Sequence, residues 1–346
     1  MAYRETQIGD IKQPQVYNDY LREKSIYDSL IYKSGIVVVN PKITANLIGG
    51  SKKFSTPFWK DLILAGDATT QIPQQEVDVN TNFITSGEFD VRRQVRVQKW
   101  GANALASILS GENVMDALAS YIDTYWGKAM QQLLFVTEQG ILADNITNDA
   151  HDMVNDITTN DGDDAKINYD VIVDTIFKMG AKFQEITAMA IHSVPYARLT
   201  KLNIIDTQTI SSQNLGFGTF FGKSIILDDY ETYKLETVTI AGVSTPNTPV
   251  YWTTFFKTGA FGYGESYAGF MAVESERNPN RGGGQDFIHT RKCFALHPYG
   301  FSWTESSITS DDGDFPTDAD LANEANWDRT ASSVKLTGFV VLKTLG

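Results

Sequence analysis

The chain has 346 residues, 29 Lys plus Arg against 42 Asp plus Glu, a formal charge of −13, and a 42% hydrophobic, 12% aromatic composition. These values belong to a folded chain of roughly two or three domains and exclude a disordered one, and a field of that sign repels phosphate, so the protein as a whole is a poor nucleic-acid binder. The one cysteine, Cys293, excludes an internal disulfide framework and any CxxC metal or redox motif, and the four histidines leave few histidine metal sites.

The first residues lack the apolar stretch of a signal peptide. The longest apolar runs, Ile36–Val39 and Phe339–Leu342, fall far short of the roughly 20 residues that span a bilayer. The expectation is a soluble chain made in the cytoplasm, with no membrane partner. No period of 20–50 residues recurs, which disfavours a solenoid or propeller. Residues 1–50 carry one short apolar strand at Ile36–Asn40 and close on Gly49-Gly50. They are too poor in core residues to fold alone and read as an arm lying on something else.

Residues 76–100 predict a β-hairpin. Phe89, Val91, Val95 and Val97 share one parity, interrupted by Arg93, while Asp90, Arg92, Gln94, Arg96 and Gln98 take the other. Val77 and Val79 alternate likewise upstream, with Thr85–Glu88 as the turn. A long helix follows. Asn113 is its expected N-cap and Asp116 lies in its first turn. Val114, Leu118, Ile122, Tyr125, Ala129, Leu133 and Val136 recur at spacings of three and four, and Gly140 is expected to break the helix or lie near its end.

Residues 144–164 are rich in Asp and Asn and read as a surface loop. The next block predicts a helix over Tyr169–Phe183, a strand over Ala188–Val194, a helix opened by Pro195, and strands at Lys223–Leu227 and Tyr251–Phe256. Residues 287–303 read as a long strand or hairpin, 305–333 as acidic and irregular with one short helix, and Thr337–Lys343 as a final strand. Strands and helices mix without strict βαβ alternation, so the fold class is α+β.

Few of these residues have the spacing that chemistry needs. Gly216/Gly218/Gly222 and Gly262/Gly264 each miss the dinucleotide pattern, and Arg281–Gly284 lacks the Lys-Ser/Thr of a phosphate loop. They read as turns and close backbone contacts. His289, Cys293 and His297 are four apart on a predicted strand, about 13 Å per step, too far for a nucleophile and its base. They read as a buried cysteine with partly exposed histidines. Asp161/Asp163/Asp164 and Asp311/Asp312/Asp314 do not fit a calcium loop and read as solvated. His192 reads as a satisfied histidine at a strand end. Arg92, Arg93, Arg96 and Lys99 concentrate positive charge in an acidic chain and fit an acidic patch on another copy of the same chain. No catalytic constellation, metal site or cofactor site emerges. The pieces are those of a self-assembling shell or filament subunit.

Several short motifs, taken in order and spacing, resemble the major capsid proteins of tailed double-stranded DNA bacteriophages, in particular the siphophage coat proteins of the Hong Kong 97-type fold. They include Pro57-Phe58-Trp59, Val91-Arg92-Arg93, Trp100-Gly101, Tyr125-Trp126, Glu138–Ile141, Phe221-Gly222-Lys223 with Asp228-Asp229, Val273–Arg277, His297–Phe301 with Trp303, and Asn326-Trp327. The resemblance implies an N-terminal arm (1–50), an extended hairpin loop (51–100), a peripheral domain with a spine helix (101–164) and an axial domain (165–270). Residues 271–346 would return to the peripheral domain, with an acidic insertion at 305–333. It also implies a non-enzymatic subunit without cofactors, in a virion, forming pentamers and hexamers of an icosahedral head. The implied partners are other copies of the chain, a portal, a decoration protein and packaged DNA bound without sequence specificity. The chain lacks a long coiled-coil N-terminal extension, which implies a separate scaffolding protein. In the family the basic loop crosses onto an adjacent subunit, which makes Arg92, Arg93, Arg96 and Lys99 the expected inter-subunit residues. An encapsulin-like nanocompartment shell shares the fold and is the alternative; a hydrolase using Cys293 or an acidic metal site is an alternative of another class.

Overall fold

Period-two alternation and three-to-four spacing both occur along this chain, and the computed structural model accordingly carries strands and helices interleaved. It describes residues 34–60, 84–103, 114–202, 219–220, 222–229, 232–267, 269, 271–279, 284–308 and 315–346. In chain order the first elements are β1 (Val37–Val39), α1 (Pro41–Ile48), β2 (Lys53–Trp59), β3 (Ser86–Arg92), β4 (Gln94–Asn103), α2 (Val114–Asn148) and β5 (Val154–Asp156). Then come α3 (Tyr169–Phe177), β6 (Ile186–Ile191), α4 (Ser193–Lys201), β7 (Thr219–Phe220), β8 (Lys223–Leu227), β9 (Tyr233–Ile240) and β10 (Val243–Lys257). The last are β11 (Phe261–Glu265), β12 (Val273–Asn278), β13 (Gln285–Pro298), β14 (Phe301–Trp303), α5 (Asp318–Leu321), β15 (Trp327–Arg329) and β16 (Phe339–Thr344).

Two larger sheets share one core. The first runs β1-β11-β13-β12, with β4 also paired to the long β13. The second runs β5-β16-β10-β6-β8-β7, with β9 on β10. The chain passes from one sheet to the other in the few residues between Lys257 and Phe261, and aromatic rings fill the junction. Phe261 stacks on Phe339 at 5.9 Å, and Phe256 lies 5.8 Å from Phe339. All three are fully buried.

The final strand lies in the second sheet. All six residues of β16 are buried, and it pairs antiparallel with β10 and parallel with β5. Val340, Val341 and Leu342 belong to the core of the second sheet. Residues 144–164 are more ordered than a surface loop. Residues 144–148 complete α2, Met153, Val154 and Ile157 are buried, and β5 edges the sheet. The helix expected over Tyr169–Phe183 stops at Phe177, and Gly180, at φ +55°, begins a 3₁₀ turn. In the acidic 305–333 stretch, a capping box between Thr317 and Asp320 starts α5. Leu321, Asn326 and Trp327 are buried. Residues 309–314, with Asp311, Asp312 and Asp314, lie outside the described residues.

Helix α2 is the longest element, at 35 residues or about 52 Å. Ile122, Leu133 and Val136 are buried as the spacing predicts, whereas Tyr125 is 42% exposed. The side chain of Leu118 and the N-cap Asn113 lie outside the described residues. The helix runs straight through Gly140, contrary to expectation. A Cβ on Gly140 would stand 2.0 Å from the Leu321 carbonyl oxygen and 2.7 Å from Trp327 Nε1. Glycine is therefore required there by a neighbouring segment, not by a helix end. That same Trp327 Nε1 donates to the Leu321 carbonyl at 2.8 Å.

Next to it on α2, Glu138 is buried and accepts a hydrogen bond from the Thr254 hydroxyl of β10. Burial outweighs that bond and pushes its carboxyl up to about 8.

Two outcomes follow. Alanine usually stabilises a helix interior relative to glycine by about 1 kcal/mol. At Gly127 an added Cβ would meet no atom within 4 Å, so this position should follow that rule, and Gly127→Ala raises the urea midpoint. Gly140→Ala should instead lower stability by about 1–3 kcal/mol through overpacking. For Glu138, the folded chain keeps a proton that the unfolded chain loses above about 4.5. Its contribution therefore falls as pH rises from about 4.5 to 8, by about 1.4 kcal/mol per pH unit at most. In denaturant titrations Glu138→Gln should be the more stable form at pH 8.5, with its advantage shrinking towards pH 5. An unchanged difference across that range would rule out the buried proton.

Candidate functional site

The basic segment is not one strand. β3 and β4 belong to different sheets and meet at Arg93, whose backbone N–H donates to the Lys52 carbonyl at 2.9 Å. β3 pairs with β2, from Lys53↔Arg92 to Trp59↔Ser86. The partner expected at Val77 and Val79 lies outside the described residues. β4 pairs with β13, from Gln94↔Phe294 to Asn103↔Gln285. The break at Arg93 shifts the parity. Val91 is fully buried, but Arg92 is 5% and Gln94 2% exposed, while Val97 is 55% exposed. The reading of one apolar and one charged face along Phe89–Lys99 is thus corrected.

The inner side of this corner is apolar. Val91 packs with Ile43 and Leu47 of α1 and with Ala295 of β13. Gly262 and Gly264 of β11 admit Ile43, since a Cβ at either would lie within 3.0 Å of it. These two glycines are close backbone contacts, as expected. Phe89 stacks on His297 with centroids 4.7 Å apart and planes 9° apart.

Each of the four cations has partners within its own chain. Arg92 Nη1 lies 2.9 Å from Glu305 Oε1, with the Arg92 side chain only 4% exposed. Arg93 donates to the Leu47 carbonyl near the C-terminal end of α1, where a positive charge complements the helix dipole. Arg96 Nη2 donates to Asp318 Oδ1 at 2.8 Å. Lys99 Nζ donates to Glu276 Oε2 at 3.0 Å and sits 4.0 Å from the Phe287 ring centroid. His289 Nε2 lies 3.0 Å from the same Glu276 oxygen. Hydrogen bonds from His289 and Lys99 hold the Glu276 carboxyl below its ordinary value.

The other sequence candidates fall apart as sites. Cys293 is buried on β13, and desolvation pushes its thiol up, away from the reactive thiolate. His289 is half-buried, but His297 is fully buried rather than partly exposed, and burial pulls it down to about 3. Asp163 engages Lys166 at 2.9 Å and Arg198 at 3.6 Å, and hydrogen bonding to Lys166 lowers its carboxyl. His192 caps α4, its Nδ1 accepting from the Val194 N–H at 3.1 Å. Among the described residues no group of three or more His, Cys, Asp or Glu is arranged to hold a metal ion. No described helix is long and apolar enough to cross a membrane. Gly216, Gly218 and Arg281–Gly283 lie outside the described residues.

Three polar centres escaped the sequence reading. Glu138 is one. A second is Glu265, which accepts from the hydroxyls of Tyr263, at 2.8 Å, and Tyr267, with Lys292 Nζ 4.0 Å away in a buried setting. The third is Arg329 on β15, which binds Asp149 at 3.3 Å and Asp152 at 2.8 Å and so ties the end of α2 to the C-terminal segment. No spacing rule links 329 to 149 and 152.

The site is thus a corner where a hydrogen bond from Arg93 holds the arm and ion pairs of Arg92, Arg96 and Lys99 hold the loop and the sheet. No protein-family profile matches the chain. Over 338 residues it is 30% identical to the major capsid protein of Bacillus phage SPP1, covering 97% of either chain. Its fold is similar to that of the capsid of Ralstonia phage GP4, with a TM-score of 0.53 and 10% identity over 99% of this chain and 94% of that one. A structure from Microbacterium phage Oxtober96 gives 0.50 and 10% over 99% and 95%, and the Cyanophage Pam1 capsid gives 0.50 and 10% over 87% of both. A near full-length relative of this kind, on a Hong Kong 97-type α+β fold, favours the phage over the nanocompartment alternative, and the chain belongs to the phage major capsid protein family.

Proposed function

We propose that copies of this chain assemble as pentamers and hexamers into an icosahedral head around double-stranded DNA, as a structural and non-catalytic subunit. The observation that carries this reading is the 30% identity to a phage major capsid protein along 97% of the chain. Composition supports it: a subunit at −13 encloses a polyanion without gripping it. The subunit is made in the host cytoplasm, assembles on a separate scaffolding protein, closes on a portal and offers its outer surface to a decoration protein. The direct test is negative-stain microscopy of the chain co-expressed with its neighbouring scaffold gene. Closed, uniform particles are expected, and only monomers or amorphous aggregate under those conditions would overturn the reading.

For the basic corner we propose a division of labour. Arg92 and Arg93 hold the loop onto its own subunit, and Arg96 and Lys99, whose side chains are 28% and 44% exposed, remain to meet carboxylates of an adjacent copy. Removing one member of a desolvated ion pair costs far more than removing an exposed one. Arg92→Ala should lower the stability of the free subunit by about 1–3 kcal/mol, discounted for the 30% exposure of Glu305. Arg96→Ala with Lys99→Ala should cost less than about 1 kcal/mol each yet slow assembly followed by sedimentation. Denaturant midpoints separate the two classes; equal losses for both would contradict the division.

A further inference from the structure

Strands β9 and β10 continue beyond the sheet that roots them. β10 has β16 beside it only from Tyr251 to Phe256, and β6 only from Thr254 to Lys257. Among the described residues its other half, from Val243 to Val250, is paired with β9 alone. The two join through Ala241 and Gly242, at φ +49° and +85°, the left-handed pair that a two-residue hairpin turn needs. A two-stranded ribbon is marginal in water unless something packs on it.

The register sorts the ribbon into two faces. One carries Lys234, Glu236, Val238 and Val250. It is tied down in its middle, where Val238 and Val250 are buried and Glu236 meets Lys343 at 3.4 Å, while Lys234 at one end and Val243 at the tip are exposed. The other carries Tyr233 opposite Tyr251, Leu235 opposite Pro249, Thr237, and Thr239 opposite Ser244. At its root the His192 ring of α4 lies against Tyr233 and Tyr251, with centroids 5.3 and 4.8 Å away, and beyond that pair this second face is open. Leu235 is 62% exposed, Tyr233 39%, and Thr237, Thr239, Ser244 and Pro249 are exposed as well. It is also uncharged, and residues 237–256 include no charged side chain at all.

We propose that this open face, from Leu235 to Thr239, is a contact onto a neighbouring copy of the same chain. The proposal rests on the assembly reading above and names a surface that serves it. Electrostatics selects the partner: copies that each carry −13 repel one another, and the repulsion is least where the facing surface bears no charge. Edge geometry selects the face. On the β10 side Pro246 and Pro249 lack N–H donors, Asn247 is at φ +55°, and the register slips between Thr245 and Thr248, which together block strand addition there. Area sets the stoichiometry. A face about 17 Å long and about 10 Å wide buries roughly 350 Å² in total when it is covered, less than a third of what a stable pairwise complex needs. Such a contact does not hold two free subunits together. It suits a closed ring, in which each copy gives one surface and receives another.

The test uses the full chain with its scaffold gene. Leu235→Glu and Thr237→Glu, made separately, place a charge on the open face at exposed positions. Each should leave the circular dichroism spectrum and denaturant midpoint of the free subunit unchanged and reduce closed particles at least tenfold. Particles at wild-type yield from both variants would overturn the proposal. Failure of the wild-type chain to form particles would instead overturn the assembly reading, and the proposal with it. A second readout needs no added charge. Because Cys293 is buried, Thr237→Cys adds a single accessible thiol. Its reaction with N-ethylmaleimide should be at least tenfold slower in particles than in free subunits; equal rates would overturn the proposal even where a charged variant misfolds.

Discussion

Everything in this subunit turns on how closely the last strand can approach the junction between the sheets. A Cβ at Gly338 would stand 2.8 Å from the Cα and Cβ of Ala260 and 2.9 Å from its carbonyl oxygen. Only glycine lets the backbone pass there, and Phe339 then drops onto Phe261 while Val340–Leu342 enter the core. The Lys257 N–H donates to the Gly338 carbonyl at 2.9 Å across the same point. With this contact made, β16 zips onto β10 and closes the second sheet, and β11 leaves in register for the first. Close packing of this kind tolerates little change in volume, so the two sheets behave as parts of one body.

Charge is distributed to match. The corner that joins arm, loop and first sheet is laced with ion pairs from Arg92, Arg96 and Lys99 to Glu305, Asp318 and Glu276, partners that lie far along the chain. These pairs add specificity of docking more than stability where they are exposed. The ribbon at the other sheet carries almost none. Arg92 and Arg93 thus fasten the subunit's own long excursions, while the ribbon keeps a neutral surface.

Much of this was legible in the sequence. The strands at Lys223–Leu227 and Tyr251–Phe256, the long helix and the final strand all follow from periodicity, because their apolar positions are set by burial on one face or two. What could not be read were effects of distant residues. Gly140 looks like a helix stop because nothing local reveals that Leu321 and Trp327 need its space. Arg92 looks like a cation turned towards another copy because the break at Arg93 changes which side faces inward. The partner of β3 proved to be β2, whose Pro57 weakens any strand signal. Glu138 sits among polar neighbours in sequence, and its burial comes from β10, 116 residues away. The family motifs gave the Hong Kong 97-type fold, which periodicity alone could not.

The buried Glu138 also makes folding a proton-transfer event. Between about pH 5.5 and 7 an unfolded chain has given up this proton and the folded chain holds it, so Glu138 takes up close to one proton from solvent as the chain folds, and about half a proton near pH 8. His297 does the reverse lower down. Unfolded, it binds a proton below about 6.5, and the interior, which holds it near 3, expels that proton on folding. Near pH 5.5 the two exchanges offset each other, and the pair together contributes almost no net proton traffic. Near neutrality the uptake at Glu138 outweighs the release at His297, so this pair of buried groups ties the folding of each copy to the proton concentration around it.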